Sequence, residues 1–192
     1  MPPSPLVLAF GDSLVAGYGL AKADGFAAQL ERRLRPDHPA IAVVNAGVSG
    51  DTTADALRRL PRVLSALEAR PDLAIVQLGP NDVLRRLSPA STRANLEAIL
   101  LEFARCGVAT ILTTVDPPAF LLDRAGGYAG IQQEVAARHG ATTVRFFPPG
   151  ILGRADMVLA DRVHPNAAAI AAVVEGMLPA VRRALAGASA TG

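Results

Sequence analysis

Five apolar runs of strand length alternate along the 192-residue chain with stretches of helical length, and this alternation leaves few folds open. The runs are LVLAF (6–10) closed by Gly11, IAVVNAG (41–47), LAIVQLG (73–79), VATILTTV (108–115) and ATTVRFF (141–147). Near-continuous apolar strands of this kind are buried on both faces. Between them lie GFAAQLERRL (25–34), with clear amphipathic spacing, and helix-length stretches at 52–70, 90–106, 127–139 and 166–186. The pattern predicts a parallel sheet with helices on both faces, an α/β layer sandwich. Without an internal repeat or a linker, residues 1–185 read as one domain, and AGASATG (186–192) reads as a disordered tail.

Composition removes several classes of function. Hydrophobic residues make up 51% of the chain and charged residues 19%, which excludes a disordered protein. No window reaches the ~18 uninterrupted apolar residues of a membrane span, so stable membrane insertion is not expected. The opening MPPSPLVLAFGD lacks a basic n-region and a cleavage site. It reads as the start of a cytoplasmic protein, or of a periplasmic or secreted one whose export signal has been removed. A single cysteine, Cys106, rules out an internal disulfide, and with three histidines the chain offers neither a thiolate cluster nor the ligands of a metal-dependent hydrolase. No metal or cofactor is expected. Arginine pairs at 32/33, 58/59, 85/86 and 182/183 have no interleaved aromatics and read as solvated helix faces, not a nucleic-acid surface.

The strand ends carry the chemistry. The first run ends in Gly11-Asp12-Ser13, the second in NAGVSGDT and the third in GPND. Ligands of open α/β sheets bind outside the carboxyl ends of the strands, so these loops can converge on one cleft. A serine hydroxyl there needs a base, usually histidine. His38 lies in a turn between Pro36 and Pro39, and His139 closes a helical stretch before Gly140, which leaves His164 in LADRVHPN. Asp161, three residues earlier, can hold the imidazole in one tautomer. On the pair alone, a helix-capping Asp161 beside an ordinary loop His164 stays equally open. Donors for a developing oxyanion are available at the amides of Ser13 and Gly50 and at the side chain of Asn81. Each of these also fits a plain turn or cap, and Gly50 and Gly47 are not distinguished by this reasoning.

Four blocks then resemble those of the SGNH, or GDSL-type, hydrolases: FGDSL, NAGVSGDT, LGPND and DRVHPN, in order from residue 6 to about 185. GDSLVAGYGL, VVNAGVSGDTT and LGPNDVLRRLSP look most like the bacterial branch of thioesterases, arylesterases and lysophospholipases. The resemblance implies a flavodoxin-like α/β/α sandwich with five parallel strands in the order 2-1-3-4-5, and ester hydrolysis through an acyl-enzyme. It assigns Ser13 as nucleophile and oxyanion donor, Gly50 and Asn81 as further donors, His164 as base and Asp161 as its partner. Asp12 is read as support for the serine loop. The substrate is then a small-molecule ester or acyl compound.

Two residues depart from the family pattern. Pro80 stands where glycine usually precedes the asparagine, which predicts a stiffer loop and a narrower substrate range. Arg162 stands where glycine commonly follows the last aspartate, and is read as facing water. Val83 and Leu84, with Phe120, Leu121 and Leu122, are the apolar candidates for an acyl groove. A carbohydrate acetylesterase of the same superfamily is the alternative substrate reading. A non-catalytic phosphate- or nucleotide-binding module on a flavodoxin-like fold is the alternative class, although neither G-x-x-x-x-G-K-[ST] nor G-x-G-x-x-G occurs. No G-x-S-x-G elbow of the α/β-hydrolases occurs either.

Overall fold

Strand β1 (Leu6–Gly11) sends alternate side chains into two separate cores, and the architecture follows from that. Val7 and Ala9 enter one apolar cluster, Leu8 and Phe10 the other. In the computed structural model, which describes residues 4–117, 122–151 and 153–190, β1 is flanked by β2 (Ala42–Gly47) and β3 (Leu73–Gln77). β4 (Ala109–Thr114) and β5 (Thr142–Arg145) extend the sheet to the order β2-β1-β3-β4-β5, every pairing parallel. This is the doubly wound order expected from the four blocks.

Helices cover both faces. α1 (Ser13–Ala16), α2 (Phe26–Leu34) and α8 (Ala167–Ala190) lie over the first core, where Phe26, Leu30, Ile170, Val173 and Met177 meet Val7, Leu73 and Ile75. α3 (Thr53–Ser65), α5 (Pro89–Arg105) and α7 (Ile131–Arg138) cover the second, where Leu60, Leu96, Ile99 and Phe103 meet Phe10, Val76 and Leu112. Short helices α4 (Pro80–Leu84) and α6 (Leu122–Ala125) follow β3 and β4 on the carboxyl edge.

The boundaries differ from the sequence reading at five places. The helix expected over 52–70 stops at Ser65, where the Ala66 amide is shared between the Arg62 and Val63 carbonyls and closes the last turn. The helix expected from 127 begins at Ile131, because Gly126, Gly127 and a left-handed Gly130 (φ 78) break the run into a 3-10 turn first. α4 was read as plain loop; Pro80 opens it at a position whose amide would be unpaired anyway. Asn166, expected inside the last helix, instead caps it by accepting from the Ala169 amide at 3.0 Å. α8 also runs through Gly187 to Ala190, into the stretch read as tail.

Gly11 and Gly47, paired across β1 and β2, let α1 sit directly on the sheet. A β-carbon on Gly47 would lie 2.2 Å from the Ala16 backbone nitrogen, and one on Gly11 would lie 2.4 Å from the Gln77 carbonyl oxygen. Backbone cannot yield there as a flexible side chain can. Gly47→Ala is therefore expected to lose about 3 kcal/mol of stability or more in urea unfolding, since α1 must shift off β2.

Candidate active site

Ser13 begins α1 directly after β1 ends, with Asp12 as the cap. Asp12 accepts from the Leu14 amide at 3.0 Å, which bends the chain sharply from strand to helix and turns the serine out of the sheet edge. Ser13 Oγ lies 3.1 Å from Nε2 of His164. The other ring nitrogen, Nδ1, lies 2.7 Å from Oδ2 of Asp161. Serine, imidazole and carboxylate thus form one hydrogen-bonded line between residues 151 positions apart in sequence.

The loop carrying Asp161 and His164 is braced from within. Asp161 Oδ1 accepts from the amides of Val163 (2.9 Å) and His164 (3.0 Å), while the amide of Leu159 donates to the His164 carbonyl at 2.8 Å. Val158 and Pro165 form an antiparallel bridge that closes the segment. The His164 and Val163 amides, helped by the imidazole, hold the Asp161 carboxyl down at about 2, so it stays ionised across the working range of an enzyme. Arg162 makes the tight turn in the left-handed region (φ 58) and its side chain is exposed. That geometry explains why glycine suits this position.

The remaining blocks meet on the other side of Ser13. The Asn81 side-chain amide donates to the Asp51 carbonyl at 2.9 Å and approaches Oδ2 of Asp12 at 3.5 Å. Gly50 adopts φ 86. Neither the Gly50 amide nor the Ser13 amide donates to a backbone acceptor among the described residues, so both remain available to a ligand oxygen. Gly50 and Gly47 are now separable. Gly47 is a packing glycine, whereas Gly50 is a turn glycine whose side is met only by the tip of Arg85. Asp12 is 1% exposed, and burial, reinforced by the nearby Asp51 and Asp82 carboxylates, pushes its carboxyl up to about 7 despite the Leu14 hydrogen bond.

Three supports escaped the sequence reading. Arg59 does not face solvent with Arg58: its guanidinium pairs with Asp51 at 2.5 Å, donates to the Gly11 carbonyl at 3.0 Å and lies 4.3 Å from the Phe10 ring centre. Its place beside the apolar Ala56 and Leu60 in α3 was the available signal. Asp82, fully buried, accepts from the Thr53 amide (2.9 Å) and hydroxyl (2.5 Å) and from the Thr92 hydroxyl (3.0 Å), fastening α4 to α3 and α5. Tyr18 lies against the His164 ring.

A cavity of about 340 Å³ opens against Gly79 and Pro80, between the ends of β3 and β4 and the α6–α7 segment. Pro80, Val83, Val115, Leu122 and Ile131 supply its apolar wall, with Thr92 and Gln132 among its polar atoms. Of the proposed acyl contacts, Val83 and Leu122 line it, Leu84 is exposed, and Phe120 and Leu121 lie outside the described residues. Cys106 caps the end of α5 half-buried against the second core, His38 is half-buried in its turn, and His139 caps the end of α7. No cluster of three or more metal-ligating side chains occurs among the described residues, and no described helix is long and apolar enough to cross a membrane.

With this geometry in view, comparison with known proteins is consistent along the chain. Residues 9–172 match the profile of the GDSL-like lipase/acylhydrolase family. Esterase TesA of Pseudomonas aeruginosa is 34% identical over 177 residues, spanning 92% of this chain and 87% of the relative. Thioesterase 1/protease 1/lysophospholipase L1 of Escherichia coli K12 is 30% identical over 161 residues, spanning 83% and 75%. The crystal structure of AlinE4, an SGNH-hydrolase family esterase, superposes with a TM-score of 0.77 at 42% identity, covering 96% of this chain and 98% of that one.

Two stability measurements follow. Asp12 titrates near 7 when folded and near 4 when unfolded, so the folded state holds the proton more tightly. The stability it contributes is complete below about pH 4 and lost as pH rises through 7, on the order of 4 kcal/mol. Part of it is already lost at pH 5, so urea unfolding at pH 5 and pH 8 should differ by roughly 2.5 kcal/mol in the wild type, with a flatter profile in Asp12→Asn, whose side chain can still cap α1. Arg162→Gly should raise stability by up to about 1 kcal/mol, because relief of the left-handed strain slightly exceeds the entropy glycine adds to the unfolded chain.

Proposed function

Because the chain belongs to the GDSL-like lipase/acylhydrolase family, we propose that it is an esterase that cleaves carboxylic esters through an acyl-enzyme on Ser13. The observation that carries this reading is the continuous line from Asp161 through His164 to Ser13. His164 Nε2 takes the hydroxyl proton as Oγ attacks the ester carbonyl, and Asp161 steadies the imidazolium that results. The tetrahedral oxyanion takes hydrogen bonds from the amides of Ser13 and Gly50 and from Asn81 Nδ2. Asn81 donates one amide hydrogen to the Asp51 carbonyl at 2.9 Å, which fixes its plane, and the other, held only by a long 3.5 Å bond to Asp12 Oδ2, is the one that turns to the oxyanion. The imidazolium then protonates the departing alcohol, and water repeats the cycle in reverse to free the acid.

The cavity lined by Pro80 and Val83 supports short-to-medium acyl or aryl groups as the bound arm. About 340 Å³ is roughly the volume of ten methylenes at liquid density, and the walls are mainly apolar. The relatives named as a thioesterase and lysophospholipase extend the candidates to acyl thioesters and lysophospholipids. Pro80, locked into the first turn of α4, forms part of this cavity's wall and supports a narrow substrate range.

A fluorophosphonate tests the reading by intact mass and peptide mapping. One adduct on Ser13 is expected, absent in Ser13→Ala, with hydrolysis of p-nitrophenyl butyrate falling by about four orders of magnitude or more in that variant. Folded protein that takes no adduct would refute the acyl-enzyme and favour a binding module.

A further inference from the structure

Tyr18 is 52% exposed, yet its ring packs on the imidazole of His164, with centroids 4.4 Å apart and planes inclined by 36°. Two glycines put it there. Gly17 leaves α1 in the left-handed region (φ 79), and the amides of Gly17 and Tyr18 both donate to the Ser13 carbonyl, at 3.1 and 3.2 Å. Gly19 is also left-handed (φ 72), and the place its β-carbon would take lies 2.7 Å from Cδ1 of Leu159, in the segment that bonds the His164 carbonyl. The turn at 17–19 therefore interlocks with the histidine loop. The Tyr18 hydroxyl makes no hydrogen bond among the described residues, so what the turn presents is the face of the ring.

We propose that Tyr18 is a positioning residue for His164: its ring holds the imidazole in the plane joining Asp161 to Ser13 and stabilises the imidazolium formed when the ring takes the serine proton. The inference rests on the acyl-enzyme reading above. Aromatic faces attract cations within about 6 Å of the centroid, most strongly where water is excluded. Exclusion is needed here, because the side chains of His164 and Asp161 are 24% and 37% exposed. The charged and titratable groups around the ring are few. Asp161 meets Nδ1 and Ser13 meets Nε2, Arg162 turns outward in the same loop, and the Arg154–Asp156 pair is held in the preceding 3-10 turn, whose Asp156 carbonyl accepts from Asn166.

The test compares wild type with Tyr18→Leu, Tyr18→Phe and Gly19→Ala, each checked for a native thermal transition. The readouts are steady-state hydrolysis of p-nitrophenyl butyrate and the rate of fluorophosphonate labelling at Ser13. Tyr18→Leu is expected to lower kcat and the labelling rate together by about five-fold, with KM within about two-fold. Tyr18→Phe should restore both, because only the ring face is used. Gly19→Ala, which drives Leu159 away and loosens the turn without touching either ring, should resemble Tyr18→Leu. A raised KM at unchanged kcat would overturn the inference by making Tyr18 a substrate wall, as would a Phe variant as impaired as Leu or a Leu variant like wild type. A wild type labelled elsewhere than Ser13 would overturn the acyl-enzyme reading itself, and the positioning role with it.

Discussion

Two missing β-carbons set the geometry on which the rest of the site depends. Gly11 and Gly47 are paired across β1 and β2, and each admits backbone or side-chain atoms closer than any β-carbon would tolerate. α1 can then begin at once after β1, with its first turn pressed against the neighbouring strand. Ser13 is placed by this close backbone contact together with the Asp12 cap on the Leu14 amide. The serine's position thus follows directly on a stretch of β1, Val7 to Phe10, that is fully buried between two close-packed cores.

Around that fixed point the other loops are tied by polar groups that would be costly to leave unpaired. Asp82 is wholly buried and holds α4 to α3 and α5 through Thr53 and Thr92. Arg59 spans Asp51, the Gly11 carbonyl and the Phe10 ring, so the end of β1 and the Gly50 loop move together. Burial makes each bond matter. Breaking one partner strands another polar group in a low-dielectric interior, at a cost well above the net value of a surface pair. The loops that approach Ser13 from β2 and β3 are held by this network, whereas the His164 loop is braced mostly by its own backbone and by the 17–19 turn.

This division explains what could be read from the sequence. The sheet and its order were legible because strand-length apolar runs and four ordered motifs are local or nearly local signals. Ser13, Asp161 and His164 were legible because a nucleophile, a base and an orienter are restricted to few residue types. Arg59, Asp82 and Tyr18 were not, because their roles exist only in contacts between elements. Arg59 in isolation is half of a charged pair, and Tyr18 is an aromatic in a glycine-rich turn. One helix start failed for a related reason: Gly130 acts through a left-handed backbone dihedral that a hydrophobic pattern does not record. Gly47 and Gly50 show the limit most clearly, since one letter stands for a steric requirement in the first and a left-handed turn in the second.

The two aspartates of the site carry the same chemistry to opposite ends. Asp161 is solvated and accepts two backbone amides, so its charge is kept. Asp12 is buried beside two other carboxylates, so its charge is resisted until about pH 7. Their places match what acyl transfer needs. Positive charge develops on the imidazole, and there a permanent carboxylate helps; negative charge develops near Asn81, and there a second anion would oppose it. A neutral Asp12 can still accept from the Leu14 amide while sparing the oxyanion that repulsion. Environment rather than residue type decides which aspartate serves as a counter-ion, and the same burial that makes Asp12 expensive to ionise lets it sit next to Asn81.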